Sequence, residues 1–186
     1  VYIAPPHPFH VEWAVKPAKA GKHILCEKPL GMNAVEVKRM LGAARSYRVF
    51  FLEAFMYRCL PQTAKLVQLI QSGFIGKVRL IQASFIFNCP FDPKHRLFSK
   101  KLGGGGILDI GCYPVSFSRR MAGAALGKPF QEPLSLKGFL HRGPTGVDEW
   151  ATATLKFPGD ILAQLTCGTR TEGESVARVY GTKGCL

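Results

Sequence analysis

The sequence predicts an α/β protein: a partial parallel, doubly wound (Rossmann) domain followed by an α+β domain with an open, mostly antiparallel sheet. Short apolar runs alternate with helix-length segments over the first 54 residues, which is the rhythm of βαβ units. A longer stretch of alternating character follows over 77–87, as in an antiparallel strand. Hydrophobic residues make up 47% of the chain, enough to form a core. The predicted domains cover 1–58 and 59–186.

Strands and helices alternate in the predicted Rossmann region. Strands are expected over 2–4, 23–26 and 49–54, and helices over 9–20 and 34–45. Asn33 stands where its side chain can cap the second helix. Pro17 lacks the amide proton of a helical hydrogen bond, so we expect it to kink the last turn of the first helix. These elements form half of a doubly wound sheet.

The sequence of the second region predicts two helices, four strands and a final hairpin. The helices are expected over 62–72 and 114–121, the strands over 77–87, 134–139, 150–157 and 161–168, and the hairpin over 179–186. Pro114 fits the first position of its helix, which would leave 109–113 as a tight preceding turn. The three-strand half-sheet of the first region would leave an open edge where the missing strands would pair, so we expect the chain to aggregate or associate.

Charge and cysteine usage indicate a cytoplasmic protein without a metal site. The net charge is +13, but the basic residues are scattered and form no arginine-rich block, so no nucleic-acid partner is expected. No run reaches the ~20 apolar residues of a membrane helix, and the first residues lack the pattern of a signal peptide, so no membrane role is expected. The six cysteines form no Cys-x-x-Cys pair and no zinc-like spacing with histidine, which predicts reduced thiols.

A lysine follows the second predicted strand, within the stretch AGKHILCEKPL at 20–30. Taken alone, Glu27-Lys28-Pro29 is typical of a surface turn. At the carboxyl end of a parallel strand, however, Lys28 would point into the crevice where open α/β sheets bind ligands. Pro29 would stiffen its loop, and a cation at this place can lower the pKa of a nearby phenol.

A second motif, GGGGILDIGCY at 103–113, brings a carboxylate and a phenol together. Asp109 and Tyr113 are four residues apart, so one helical turn would put both on the same side. A helix-capping Asp and a packed Tyr remain an alternative. The glycines fit no Gly-x-Gly-x-x-Gly register, which is absent from the whole chain, and we expect them to form a flexible approach to this turn.

With PPHPFH at 5–10 and LEAFMYR at 52–58, these motifs resemble the Gfo/Idh/MocA family of NAD(P)-dependent oxidoreductases. Tyr113, where many members carry His, favours the dihydrodiol dehydrogenase and glucose-fructose oxidoreductase branch. The resemblance covers the chain from Val1 to Leu186. It implies a fragment that lacks the family's N-terminal glycine loop and its last, C-terminal strands.

The resemblance also implies the roles of the site residues. Lys28 would be the catalytic lysine, Tyr113 the general acid/base, and Asp109 a substrate or proton-relay partner. The residues implied at the cofactor are Pro5, His7, His10, Glu27, Lys28 and Pro29. A lone histidine is, however, often only a hydrogen-bonded structural group. Arg58 and Arg96 could bind a substrate anion, with surface ion pairing as the alternative.

The function expected from this family is hydride transfer between the nicotinamide of NAD or NADP and a carbinol carbon of a sugar, polyol or trans-dihydrodiol. The protein would therefore bind a small-molecule substrate, and we expect a homo-oligomer formed through the open sheet. Two alternatives stay open: a non-catalytic ligand sensor on the same fold, and an inactive truncated remnant. The sequence does not choose among these substrates or between NAD and NADP.

Overall fold

A computed structural model describes residues Val1–Leu186. Its first sheet contains three parallel strands in the order β1-β2-β3. The elements are β1 (Tyr2–Ile3), α1 (His10–Lys19), β2 (Ile24–Cys26), α2 (Ala34–Ser46) and β3 (Phe51–Glu53). The predicted half of a doubly wound sheet is thereby confirmed, with strands shorter by one to three residues than expected.

One face of this sheet is covered and the other is open. Ile3, Ile24 and Cys26 point into a core formed with α1 and α2, because alternate residues of a strand face opposite sides. Asn33 caps α2 as predicted, since its Oδ1 accepts a hydrogen bond from the Glu36 amide at 3.0 Å. Pro17 lies inside α1, two residues before its last residue, Lys19.

The second sheet has five strands in the order β5-β6-β7-β4-β8. The elements of this region are α3 (Pro61–Gln71), β4 (Val78–Ile86), α4 (Cys112–Ala125), β5 (Ser135–Arg142), β6 (Asp148–Phe157), β7 (Ile161–Gly168) and β8 (Val176–Gly181). The sheet is mostly antiparallel, as predicted. The strand predicted over 77–87 is β4. It is antiparallel to one neighbour, β8, and parallel to the other, β7.

The core of the second region lies between the sheet and helices α3 and α4. Ile81, Phe157 and Val179 are fully buried in it, together with Met121 of α4. One edge of the sheet is open within the chain: β5 pairs only with β6, and every residue of β5 is exposed. The predicted hairpin is present, since the backbones of Val179 and Leu186 exchange two hydrogen bonds of 2.9 Å.

Helix α4 begins differently from the prediction. Pro114 is its third residue rather than its first, and a π-helical turn, Ile107–Gly111, precedes it, where a tight non-helical turn was expected. The wider π turn leaves room for the proline ring beside the carbonyl four residues earlier, which in a regular helix would clash with it. No helix of the structure is both long and apolar enough to cross a membrane.

Candidate active site

Lys28 contacts the second region of the chain from the end of the first sheet. It follows β2 at the carboxyl end of the parallel sheet, where the last residues of three strands open into a crevice. Its Nζ donates a hydrogen bond to the backbone oxygen of Asp109 at 2.5 Å and lies 3.6 Å from Asp109 Oδ1. Its side chain is only 15% exposed. The ammonium group is thus fixed against the π-helical turn, 81 residues away in sequence.

Asp109 lies between two cations. Its side chain is 7% exposed, and Oδ1 accepts a hydrogen bond from Arg96 Nη1 at 3.0 Å. Arg96 itself is half-exposed. A buried carboxylate needs such partners, and Lys28 and Arg96 supply them.

Tyr113 completes the cluster. Its ring centroid lies 5.2 Å from Lys28 Nζ, so the predicted side-by-side arrangement of Asp109 and Tyr113 brings both to the lysine. The ring packs against Phe55 and Phe85, with centroid distances of 5.3 Å and 5.4 Å. Its hydroxyl makes no hydrogen bond within the chain. The phenol is therefore free to meet a molecule from outside.

The protonation of Tyr113 differs from the prediction. Burial raises the pKa of Tyr113 to about 12, and the neighbouring Cys112, Glu27 and Asp109 add to the rise. The expectation that the Lys28 cation lowers the pKa of this phenol is wrong, because burial is the largest influence on that pKa and raises it. At neutral pH the hydroxyl carries its proton.

A cavity of about 740 Å³ opens beside Tyr113, between α3, α4 and the sheet. Aromatic and aliphatic side chains form most of its wall, including Tyr57, Phe85 and Phe117. Its size and apolar lining are typical of sites for small organic molecules. Tyr113 lines this cavity, whereas Lys28 and Asp109 do not.

The two histidines are placed differently. His10 is 0% exposed, and its ring nitrogens lie 2.9 Å from the Pro5 oxygen and 3.0 Å from the Pro29 oxygen. It joins the loops after β1 and β2, so the expected direct contact with a cofactor is wrong: the ring has no exposed edge. His7 is also buried, with Nδ1 3.0 Å from the Gly103 oxygen, but its Nε2 has no partner in the chain. Desolvation lowers the pKa of His7, which keeps the imidazole neutral.

Two glutamates lie at the ends of neighbouring parallel strands. Glu27 accepts a hydrogen bond from the Tyr2 hydroxyl at 2.7 Å. Glu53, which the sequence reasoning missed, accepts one from the Leu30 amide at 3.3 Å, and burial raises its pKa. Its position as the last residue of the third strand, in register with Cys26, is the signal that could have identified it.

Arg58 lies in the packing between helices rather than at the cluster. Its Nη2 donates to Ser116 Oγ at 2.6 Å, and its guanidinium stacks 4.3 Å from the Phe55 centroid and 4.9 Å from that of Phe130. Its Nε is buried without a hydrogen-bond partner in the chain, and the binding of a substrate anion by Arg58 stays a prediction. Of the two arginines, only Arg96 reaches Asp109.

The glycine run is tightly packed, so the expected flexible approach is wrong. A Cβ added at Gly104 would lie 2.4 Å from the Leu97 oxygen, and one at Gly103 would lie 2.6 Å from the sulfur of Met32. At Gly104 the obstacle is backbone, which leaves no room for a side chain, whereas at Gly106 an added Cβ would meet only ordinary contacts of 3.4 Å or more. Gly104 is therefore the glycine that the close contact between these chain segments requires.

The crevice fits the nicotinamide end of a dinucleotide. A carboxamide, a ribose and a substrate hydroxyl all need polar partners. The crevice offers three: the unpaired His7 Nε2, the unpaired Tyr113 hydroxyl and the Lys28 ammonium. The pyrophosphate is normally bound by a Gly-x-Gly-x-x-Gly turn, and none of these 186 residues form that sequence. These residues would therefore hold only one end of the cofactor.

The two parts of the chain match two models of one oxidoreductase family. Residues 1–55 match the model of the oxidoreductase family with an NAD-binding Rossmann fold, and residues 63–186 match that of the GFO/IDH/MocA C-terminal domain. The chain belongs to the Gfo/Idh/MocA family. This confirms the resemblance seen in the motifs.

Relatives and solved structures agree with this assignment. The trans-1,2-dihydrobenzene-1,2-diol dehydrogenase of Mus musculus is 38% identical over 98% of this chain and 53% of its own length. An aldose-aldose oxidoreductase from Caulobacter crescentus, solved with glycerol, matches with a TM-score of 0.87 at 25% identity, over 100% of this chain and 54% of its own. A 3-ketoreductase from Actinomadura kijaniata, solved with NADP and TDP-benzene, matches with a TM-score of 0.81 at 31% identity, over 98% and 54%. The chain spans about half the length of the curated relatives it matches.

Proposed function

We propose that the protein is an NAD(P)-dependent dehydrogenase acting on the CH–OH group of a sugar, polyol or trans-dihydrodiol. The observation that carries this proposal is the convergence of Lys28, Asp109 and Tyr113 at the junction of the two sheets. The relatives named above support the substrate class. We also propose that the chain divides into a cofactor-binding part, 1–58, and a substrate-binding and oligomerisation part, 59–186.

When bound, the nicotinamide supplies the hydride donor or acceptor. Tyr113 is the general acid that gives its proton to the carbonyl oxygen of the substrate, and in the opposite direction the base that removes the hydroxyl proton. Because burial raises the pKa of Tyr113 to about 12, the phenol is protonated at neutral pH, so reduction needs no earlier protonation of Tyr113.

Lys28 holds the substrate oxygen and the phenol in one place. Its ammonium lies near the Tyr113 ring and is fixed by the Asp109 backbone. In the oxidative direction Tyr113 accepts the proton as a phenolate, and the positive charge of Lys28 favours that charged form. Asp109 keeps Lys28 and Arg96 in position, and Arg96 can extend its exposed donors to the substrate.

The cofactor contacts proposed for this chain are those of the strand ends. Lys28 and His7 offer polar groups to the nicotinamide and its ribose, and the backbone at Pro5, Glu27 and Pro29 borders the crevice. His10 acts through these loops, since it holds the Pro5 and Pro29 carbonyls together.

We further propose a homo-oligomer formed through the open face of the second sheet. Phe139 is 84% exposed on the edge strand β5, next to the exposed Trp150, an arrangement that favours a protein interface. Phe139→Glu should lower the mass measured by light scattering, and an unchanged mass would contradict this interface. The six unpaired thiols support a cytoplasmic location.

The test of the proposed activity is direct. The natural gene product, purified in its entirety, is assayed with NAD⁺ and NADP⁺ against sugars, polyols and trans-dihydrodiols by absorbance at 340 nm. We expect cofactor reduction with at least one of these substrate classes. A protein that binds the same compounds in calorimetry but reduces no cofactor would be a ligand sensor instead.

A further inference from the structure

Asp148 touches the turn that carries the cluster from the side opposite to Lys28. Helical residues begin at Gly106 and continue through the π turn into α4. The first amides of a helix have no acceptor within it, and a carboxylate there also faces the positive end of the helix dipole. Asp148, the first residue of β6, supplies that acceptor: its Oδ2 accepts a hydrogen bond from the Ile107 amide at 2.6 Å.

The glycine beneath this carboxylate permits the contact. A Cβ at Gly105 would lie 2.3 Å from Asp148 Oδ1, and Gly105 has a φ of +114°, which residues with side chains rarely adopt. The amide of Asp109 donates to the Gly105 oxygen at 3.1 Å, which starts the helical hydrogen bonds. Gly105 and Asp148 therefore fit each other, and both act on the backbone immediately before Asp109.

The two supports hold the turn from opposite sides. Lys28, from the first sheet, binds the Asp109 backbone oxygen, and Asp148, from the second sheet, binds the Ile107 amide two residues earlier. Tyr113 follows one turn later on the same helix. A change at Asp148 would therefore move Asp109 and Tyr113 together relative to Lys28.

We propose that Asp148 is a positioning residue for the reaction: by accepting the Ile107 amide, it fixes where the π turn places Asp109 and Tyr113. This inference rests on the function proposed above. Asp148 does not belong to the cluster itself, and it acts through the backbone of the turn. A displacement of about 1 Å in a catalytic group can lower turnover on the order of 10²-fold.

The experiment compares Asp148→Ala and Asp148→Asn in the natural gene product. Asp148→Ala removes the acceptor, so kcat should fall by about ten- to 100-fold while KM for the cofactor changes less than about twofold. Asn is as good a helix cap as Asp, so Asp148→Asn should keep kcat within about threefold of the parent. Hydrogen exchange of the peptide containing Ile107 should accelerate in Asp148→Ala only.

The chain offers matched controls. Asp160, an exposed aspartate paired with Arg79 at 3.7 Å, serves as the acid control, and Asp160→Ala should leave kcat and the exchange unchanged. Gly105→Ala should reproduce the loss of kcat, whereas Gly127→Ala should not, because Gly127 also has a positive φ, +69°, but has nothing within 4 Å of an added Cβ. The comparison of Gly105→Ala with Gly127→Ala still tests the proposal if Asp148→Ala does not fold.

Tyr113→Phe, measured in the same assay, separates the two proposals. If Tyr113→Phe loses turnover and Asp148→Ala stays within twofold of the parent, the positioning role is refuted and the proposed function stands. If Asp148→Asn is as damaged as Asp148→Ala, the role of the acceptor is refuted. If Tyr113→Phe keeps full turnover, the proposed chemistry fails, and the positioning role fails with it.

Discussion

Replacing Tyr113 by Phe removes one hydroxyl group and leaves the ring in its aromatic surroundings. That hydroxyl makes no hydrogen bond within the chain, so its loss breaks no internal contact. The change in the free energy of unfolding should stay within about 0.5 kcal/mol, as for neutral surface substitutions. The ring contacts with Phe55 and Phe85 remain.

Turnover should respond very differently. A correctly placed general acid or base contributes about 10²- to 10⁴-fold, so Tyr113→Phe should lower kcat by two orders of magnitude or more. Each factor of ten corresponds to about 1.4 kcal/mol in the barrier, which gives a loss of roughly 2.7 kcal/mol or more. Steady-state kinetics on the natural gene product and chemical denaturation of the same sample measure both quantities.

Tyr57→Phe is the matched control, because Tyr57 lines the same cavity. Its hydroxyl is 2.7 Å from Ser116 Oγ, a buried hydroxyl, so this variant should lose about 0.5–1.5 kcal/mol of stability. Its kcat should stay within about threefold of the parent. If Tyr113→Phe kept its turnover, or if the two variants lost turnover equally, the acid/base assignment would be refuted and Tyr113 would be a packing residue.

Three other predictions concern the cluster, the thiols and the core. Lys28→Met should lower kcat about as much as Tyr113→Phe, and the double variant should resemble the worse single one, because both act on one proton transfer; additive losses in kinetics would contradict this. The buried thiols with pKa raised to about 11 or 12 should resist alkylation at pH 8, while the exposed ones react first, which mass spectrometry of the labelled peptides checks. The resistant thiols are Cys26, Cys112 and Cys167, and the reactive ones are Cys59 and Cys185. Phe157→Ala should cost about 3–5 kcal/mol in denaturation because Phe157 is fully buried, whereas Phe139→Ala should cost little; equal losses would refute the assignment of the core.

Local patterns were sufficient for most elements. The three parallel strands and two helices of the first region follow from short apolar runs and from a cap at Asn33, which are properties of neighbouring residues. The place of Lys28 at a strand end follows from the same pattern. The four-residue spacing of Asp109 and Tyr113 predicted that both side chains lie on the same side of the turn, although the π-helical form of that turn was not predicted.

The errors arose where distant segments meet. His10 was expected at the cofactor because it lies in the right loop, but its ring is enclosed by carbonyl oxygens from two loops. The glycines were expected to be flexible, but Leu97 and Met32 pack directly on them.

The sequence by itself determined the fold class, the family and the residue types of the cluster, because periodicity, caps and motifs are encoded within a few consecutive residues. Only the tertiary structure decided that Lys28 binds the Asp109 backbone, that burial raises the pKa of Tyr113, and that Asp148 supports the turn. These are properties of burial and of contacts between residues 41 to 81 positions apart, which no local pattern specifies.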